Sequence, residues 1–177
     1  PYLRQCSSHL GGKALREWNN ADRAAKNGHL AVIERLRTLG IHCSSKGANV
    51  AAAHEHLVII QDLRAHGVHC TTEGANRAAR SGHLAIVQDL RAHDINCSSE
   101  DANRAAGNEH LAVIEDLRAH GVHCTSEGAN NAARGGHLAI VHDLRAHDIN
   151  CTAEGADNAA GNGHLAVIED LRAHGVH

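Results

Sequence analysis

At 177 residues, with no Phe or Met and a single Trp and Tyr, the chain lacks the bulk for a thick globular core and suits a thin, alanine-lined stack. Its formal net charge of -3 argues against attraction of the whole surface to nucleic acid or acidic membranes, while a local basic face stays open. The apolar runs fall far short of the roughly 18 residues that span a bilayer, and the start does not read as a charged-then-apolar leader, so a soluble chain with no membrane partner is expected.

Residues 1–20 form an atypical N-terminal segment or cap. Cys6-Ser7-Ser8 resembles the C-S-S of residues 43–45, but an insertion carrying the only Trp separates it from the next A-x-R-A-A. Ala14, Leu15 and Trp18 recur at i, i+1 and i+4, which predicts an extended first helix or a loop leading into one. Residues 21–177 then read as a single solenoid of about six 27-residue repeats. His29, His56, His83, His110, His137 and His164 fall in one column, and Cys43, Cys70, Cys97, Cys124 and Cys151 in another. A fixed period between 20 and 50 residues marks units that bury their apolar faces by stacking on neighbours. A slower rhythm of 54 residues overlies it, because H-L-A-I-V at 83 and 137 alternates with H-L-A-V-I-E at 110 and 164.

Each repeat parses into two short helices. In the central one, Thr72 is the expected N-cap, and Glu73 sits where a helix start favours negative charge. Ala75, Ala78 and Ala79 make a narrow strip for close approach, and Gly82 ends this inner helix. The second helix is expected from about Leu84 to His93, with Leu84, Ile86, Val87 and Leu90 apolar. It ends at Gly67, Asp94, Gly121, Asp148 or Gly175 in successive repeats, residues that tolerate a left-handed backbone.

The cysteine column excludes most disulfides. Equivalent positions of stacked repeats lie roughly 10 Å apart, whereas bridged cysteines need Cα atoms within about 7 Å. The five thiols are expected to be small buried hydrophobes in a reducing, intracellular and cytoplasmic compartment.

The pattern A-A-x-x-G-H-L-x-x-V-x-x-L, carried by Ala78, Ala79, Gly82, His83, Leu84, Val87 and Leu90, resembles the ankyrin repeat over about residues 21–177. The resemblance implies an all-α, helical-repeat solenoid with Cys97 where that family has a buried Val. It also implies a structural His83. Two departures stand out. About six residues are missing per repeat, so the β-hairpin fingers are shortened or absent, and the T-P-L-H opening is replaced by E-G-A-N at Glu73 to Asn76, whose Asn can still hydrogen-bond the neighbouring repeat.

No catalytic residue or cofactor is expected. The Asp89, Arg91 and His93 column recurs along a surface instead of converging in a pocket, which reads as a solvated face. No phosphate loop or nucleophile elbow appears. His66, His69 and Cys70, repeated at His120, His123 and Cys124, offer three zinc ligands at most, with neighbours pointing to opposite sides, so no metal site is assigned.

The informative positions vary while the Ala, Leu and His columns stay fixed. They lie three apart on the inner helix and share one face. Among them Arg23, Lys26, Arg77, Arg80, Arg104, Asn131, Arg134 and Asn158 are the expected partner-binding residues. The face carries six cations and no acid, while the outer helices carry acids such as Asp62, Asp89, Asp116, Asp143 and Asp170. The first expectation is a non-catalytic protein-protein interaction scaffold that binds an acidic surface or segment through a basic concave face. The alternative is a structural protein that stacks end to end into filaments through uncapped ends. Nucleic acid read one repeat per base is disfavoured, since stacking aromatics are absent.

Overall fold

A computed structural model describes residues 20–176. The expectations for the N-terminal segment before Asn20, the Ala14, Leu15 and Trp18 face among them, and for His177 lie outside the described residues. The described chain is all-helical, with twelve α-helices and no strand. In chain order these are α1 (Asn20–Lys26), α2 (Leu30–Thr38), α3 (Ser45–Ala53), α4 (Leu57–Ala65), α5 (Thr72–Arg80) and α6 (Leu84–Arg91). They continue as α7 (Ser99–Gly107), α8 (Leu111–Ala119), α9 (Ser126–Gly135), α10 (Leu138–Ala146), α11 (Ala153–Gly161) and α12 (Leu165–Ala173). Odd-numbered helices are the inner members of each pair and even-numbered helices the outer ones. None is long and apolar enough to cross a membrane.

The chain forms two compact units, one through Gly74 and one from Ala75. In the second unit α9 packs between α7 and α11, and each inner helix packs on its own outer partner. The alanine strip permits this approach: Ala102, Ala105, Ala106, Ala132 and Ala133 are fully enclosed. On the outer side Ile86, Val87 and Leu90 of α6 are buried, as are their equivalents in α8 and α10. In the first unit α1 packs on α3 through Ala21, Ala24, Ala25, Ala48, Ala51 and Ala52. The left-handed residues fall where expected, at Gly67, Asp94, Gly121, Asp148 and Gly175. Glu55 and Glu109 also adopt positive φ, taking the place that Gly82 has in its own repeat.

The cap lies one residue earlier than expected. Ser44, Ser98, Thr125 and Thr152 stand at the N-caps of α3, α7, α9 and α11, and α5 begins at Thr72 itself. The reason is an inter-repeat bond. Asn103 accepts from the Thr125 backbone N–H at 2.9 Å and donates from Nδ2 to Thr125 Oγ1 at 2.9 Å. Asn130 treats Thr152 identically, both distances being 2.9 Å. In the first unit Asn49 does the same to Thr71, and Asp22 accepts from both the N–H and the hydroxyl of Ser44. The starts of α3, α5, α9 and α11 are therefore capped by a side chain of the preceding repeat, which satisfies a helix-start donor from outside the helix. The expected hydrogen bond of the E-G-A-N asparagine to its neighbour is thus present.

The glycine of E-G-A-N has a matching reason. A Cβ on Gly128 would lie 2.6 Å from Asn103 Oδ1, and one on Gly155 would lie 2.5 Å from Asn130 Oδ1. In α7 this column holds Asp101, buried, whose carboxylate takes the Ser98 N–H at 2.9 Å and hydroxyl at 2.7 Å in a capping box. A carboxylate of the helix itself here occupies the place where other repeats admit the neighbour's amide.

The face read as solvated, with Asp89, Arg91 and His93, is instead knit between repeats. Arg91 pairs with Asp116, Arg118 with Asp143, and Arg145 with Asp170, each through two hydrogen bonds. In the first unit Arg37 pairs with Asp62. These charges are largely covered, with side-chain exposures between 11% and 23% in the second unit. The histidine that follows turns back on its own helix: Nδ1 of His93, His120, His147 and His174 lies within 2.8 Å of the carbonyl four residues before it.

The pairs shift the carboxylates. Hydrogen bonds from Arg145 and His142 hold Asp170 below its ordinary 3.8. At Asp116 burial pushes upward, and hydrogen bonds from Arg91 and Gln88 outweigh it, so that its value too is lowered. A carboxylate depressed in the folded state stabilises the fold fully above its unfolded value and loses that contribution as pH falls through the folded one. Stability is therefore expected to hold steady near neutrality and to decline below about pH 4. Asp170→Asn should be less stable than the parent at pH 7 and lose less stability on acidification; urea titrations of both chains at pH 7 and at about pH 3 measure this.

Candidate binding face of the second unit

The second unit carries its exposed, variable residues on the inner helices. The starts of α9 and α11 are held by the preceding repeat and that of α7 by its own Asp101, so each first turn has a fixed position. Four residues on, the varying side chain projects: Arg104 from α7, Asn131 from α9 and Asn158 from α11. Arg80 and Arg134 come from the last turns of α5 and α9.

Two open clefts lie on this face. The first, about 450 Å³, is lined by Arg80, Glu100, Arg104, Gly107, Asn108, Glu127, Asn131 and Arg134. The second, about 490 Å³, includes Glu127, Asn131, Arg134, Glu154 and Asn158. Of the expected binding residues, Arg80, Arg104, Asn131 and Arg134 thus meet in one cleft, and Asn158 joins the second. Arg77 is half-buried and lines neither. Arg23 and Lys26 are exposed in the first unit.

The face is not free of acid. Glu100 and Glu127 line the first cleft, so three arginines meet two glutamates, a net charge of +1; in the second cleft Arg134 meets Glu127 and Glu154, a net charge of -1. Counting only the two varying columns missed the glutamates, although each stands one turn before a varying residue, a spacing that brings side chains together. Arg104 Nη2 lies 2.9 Å from Glu100 Oε1, both about half exposed. Such an exposed pair contributes little stability. Glu127 Oε2 lies 3.4 Å from Asn103 Nδ2.

Arg80 and Arg134 differ from the paired arginines of the outer helices. Neither guanidinium has a partner among the described residues. Their backbones, by contrast, are tightly held. Asn108 Nδ2 donates to the Arg80 carbonyl at 2.9 Å, and His110 hydrogen-bonds the same carbonyl. Asn162 Nδ2 donates to the Arg134 carbonyl at 2.9 Å, and His164 Nε2 lies 3.0 Å from it. His137 Nε2 reaches the Gly107 carbonyl at 3.2 Å. The glycine-histidine column thus has the structural role that the sequence implied. Burial pushes the His110 imidazole below its ordinary 6.5, against the opposing pull of the Arg80 carbonyl.

No group of three or more metal-ligating side chains occurs among the described residues. Cys43, Cys70, Cys97, Cys124 and Cys151 are free thiols, four of them buried and Cys97 half-buried. Burial pushes Cys43, Cys124 and Cys151 up to about 11 and Cys97 to about 12. Since the thiolate is the reactive form, all five are expected to resist a disulfide reagent at pH 8 in the folded protein and to react on addition of denaturant. A thiol count by absorbance checks this.

No known family matches the chain, and no curated protein matches it. Among solved structures it is similar to the pentatricopeptide repeat protein PPR10 in complex with an 18-nt psaJ RNA element, and to a cysteine-to-serine variant of that protein in complex with the same element. In each case the identity is 16% and the TM-score 0.47, over 93% of this chain and 29% of the other. The chain therefore spans less than a third of those proteins' length. Tandem helical repeats stand; membership of the ankyrin family in particular does not follow. Contrary to the expectation that disfavoured nucleic acid, the similar solved chains are RNA complexes.

Proposed function

We propose that this chain is a non-catalytic helical-repeat scaffold that receives an extended single strand of nucleic acid along the inner-helix face of its second unit. The observation that carries this reading is the pair of guanidiniums, Arg80 and Arg134, left without partners beside one cleft while Arg91, Arg118 and Arg145 are each matched to a carboxylate. Unpaired arginines on a surface attract phosphates and release counterions on binding. The missing aromatics weigh less than they did, because bases also stack on guanidinium planes. Arg104 gives way to Asn131 and Asn158 in the following repeats, so the hydrogen-bonding group offered changes along the face, which suits a strand met repeat by repeat. The buried free thiols fit a reducing compartment.

Fluorescence anisotropy with a labelled single-stranded RNA tests the reading. Binding in the range of about 10 μM at low salt is expected, weakening steeply as salt rises, and weaker binding of duplex DNA of the same length. No binding at low salt overturns the reading. So does displacement of the RNA by an acidic peptide that binds the same face more tightly.

A further inference from the structure

The column holding Arg80 and Arg134 reads Lys26, Ala53, Arg80, Gly107, Arg134 and Gly161 along the chain. A cation and a small residue alternate strictly, with the 54-residue rhythm of the duplicated pair. In the second unit Arg80, Gly107 and Arg134, successive members of this column, all line the 450 Å³ cleft. Resting on the proposed strand binding, we infer that this cleft is a phosphate clamp spanning two repeats. One phosphate of the strand sits on each guanidinium, and the nucleotides between them pass over Gly107.

Three features support the assignment. The clamp is prepositioned: the carbonyls of Arg80 and Arg134 are each gripped by an asparagine and a histidine from the next repeat, Asn108 with His110 and Asn162 with His164. These bonds fix the backbone and leave the guanidiniums unspent, so little order is lost when a ligand arrives. The middle position admits no side chain: a Cβ on Gly107 would meet Asn131 Cβ at 3.1 Å, so glycine keeps the cleft clear there. Charge favours this cleft over its neighbour, +1 against -1. Guanidinium also matches phosphate through two parallel N–H donors.

The test compares the whole chain with Arg80→Ser, Arg134→Ser and the double variant. These side chains are exposed, so the variants should keep the parent's helicity. For single strands the slope of log affinity against log salt is about -0.7 per phosphate contact. Each single variant should make it shallower by about 0.7, and the double variant by about 1.4. Gly107→Leu, which adds bulk between the two arginines without altering charge, should weaken RNA about tenfold, that is by about 1.4 kcal/mol. An unchanged salt slope in the double variant, with RNA still bound, overturns the clamp and leaves strand binding elsewhere on the face. Inorganic pyrophosphate provides an independent arm. It should shift the Arg80 and Arg134 side-chain Nε resonances in NMR spectra of the chain, and the shifts should vanish in the double variant. Pyrophosphate seen at both arginines in a chain that ignores RNA would sink the proposed function yet keep the anion site. Unmoved resonances would sink the site.

Discussion

Gly128→Ala is expected to lower the unfolding free energy by about 3 kcal/mol. The sign is the informative part. In the middle of a helix, glycine replaced by alanine normally gains up to about 1 kcal/mol, and Gly128 lies inside α9. Here the new methyl would sit 2.6 Å from Asn103 Oδ1, 3.1 Å from Cys124 Cβ and 3.2 Å from Asn103 Cα. Two of those neighbours are bound to rigid backbone, so the asparagine must leave. Its departure removes the bond to the Thr125 N–H, made at 2.9 Å in a part-buried setting, and losing such a bond costs about 1 kcal/mol beyond the overpacking itself. The cause can be isolated by repeating Gly128→Ala in an Asn103→Ala background. There most of the penalty should vanish, giving a coupling of about 2 kcal/mol or more between neighbouring residues. Urea denaturation of the four chains measures it, and an additive result would refute the link between E-G-A-N and the next cap.

Ala132→Leu should cost about 3 kcal/mol, near the top of the range for overpacking a closed site. Ala132 is fully enclosed on α9, which packs against α7 on one side and α11 on the other. The added carbons have no free volume to enter, and moving α9 outward would stretch the Asn103 and Asn130 caps on both sides. The neighbouring Asn131 faces the open clefts. Asn131→Leu should therefore cost less than about 0.5 kcal/mol. Thermal unfolding of the two variants should separate them by at least several degrees; equal midpoints would mean that the alanine strip is not the closely packed seam between repeats.

Much of this protein was legible from its residues. The 27-residue period, the paired helices, the Ala75, Ala78 and Ala79 strip, the structural glycine-histidine column and the buried, unbridged thiols all follow from spacing and side-chain size. These are local properties, or consequences of stacking identical units. The candidate face was half legible. The varying columns located Arg80, Arg104, Asn131, Arg134 and Asn158 on one side of the inner helices. The glutamates one turn earlier, Glu100, Glu127 and Glu154, lie outside the two varying columns and are fixed from Glu73 onward, although they determine the charge of each cleft.

What only the tertiary structure decided is which side chains reach across to the next repeat. A carboxylate in D-L-R-A-H and an arginine in the same motif read as two exposed charges on one helix. They pair instead with partners 25 residues away, Arg118 with Asp143 and Arg145 with Asp170. Likewise Thr125 looks like a loop residue until Asn103, 22 residues earlier, is seen to hold it. A repeat fixes which residues are equivalent, but not the rotation and offset between successive units, and those set whether a side chain meets solvent or the next repeat. The same offset leaves Arg80 and Arg134 without carboxylates. The chain alone therefore determined the stack and its faces, while the packing geometry determined which charges were left free to bind.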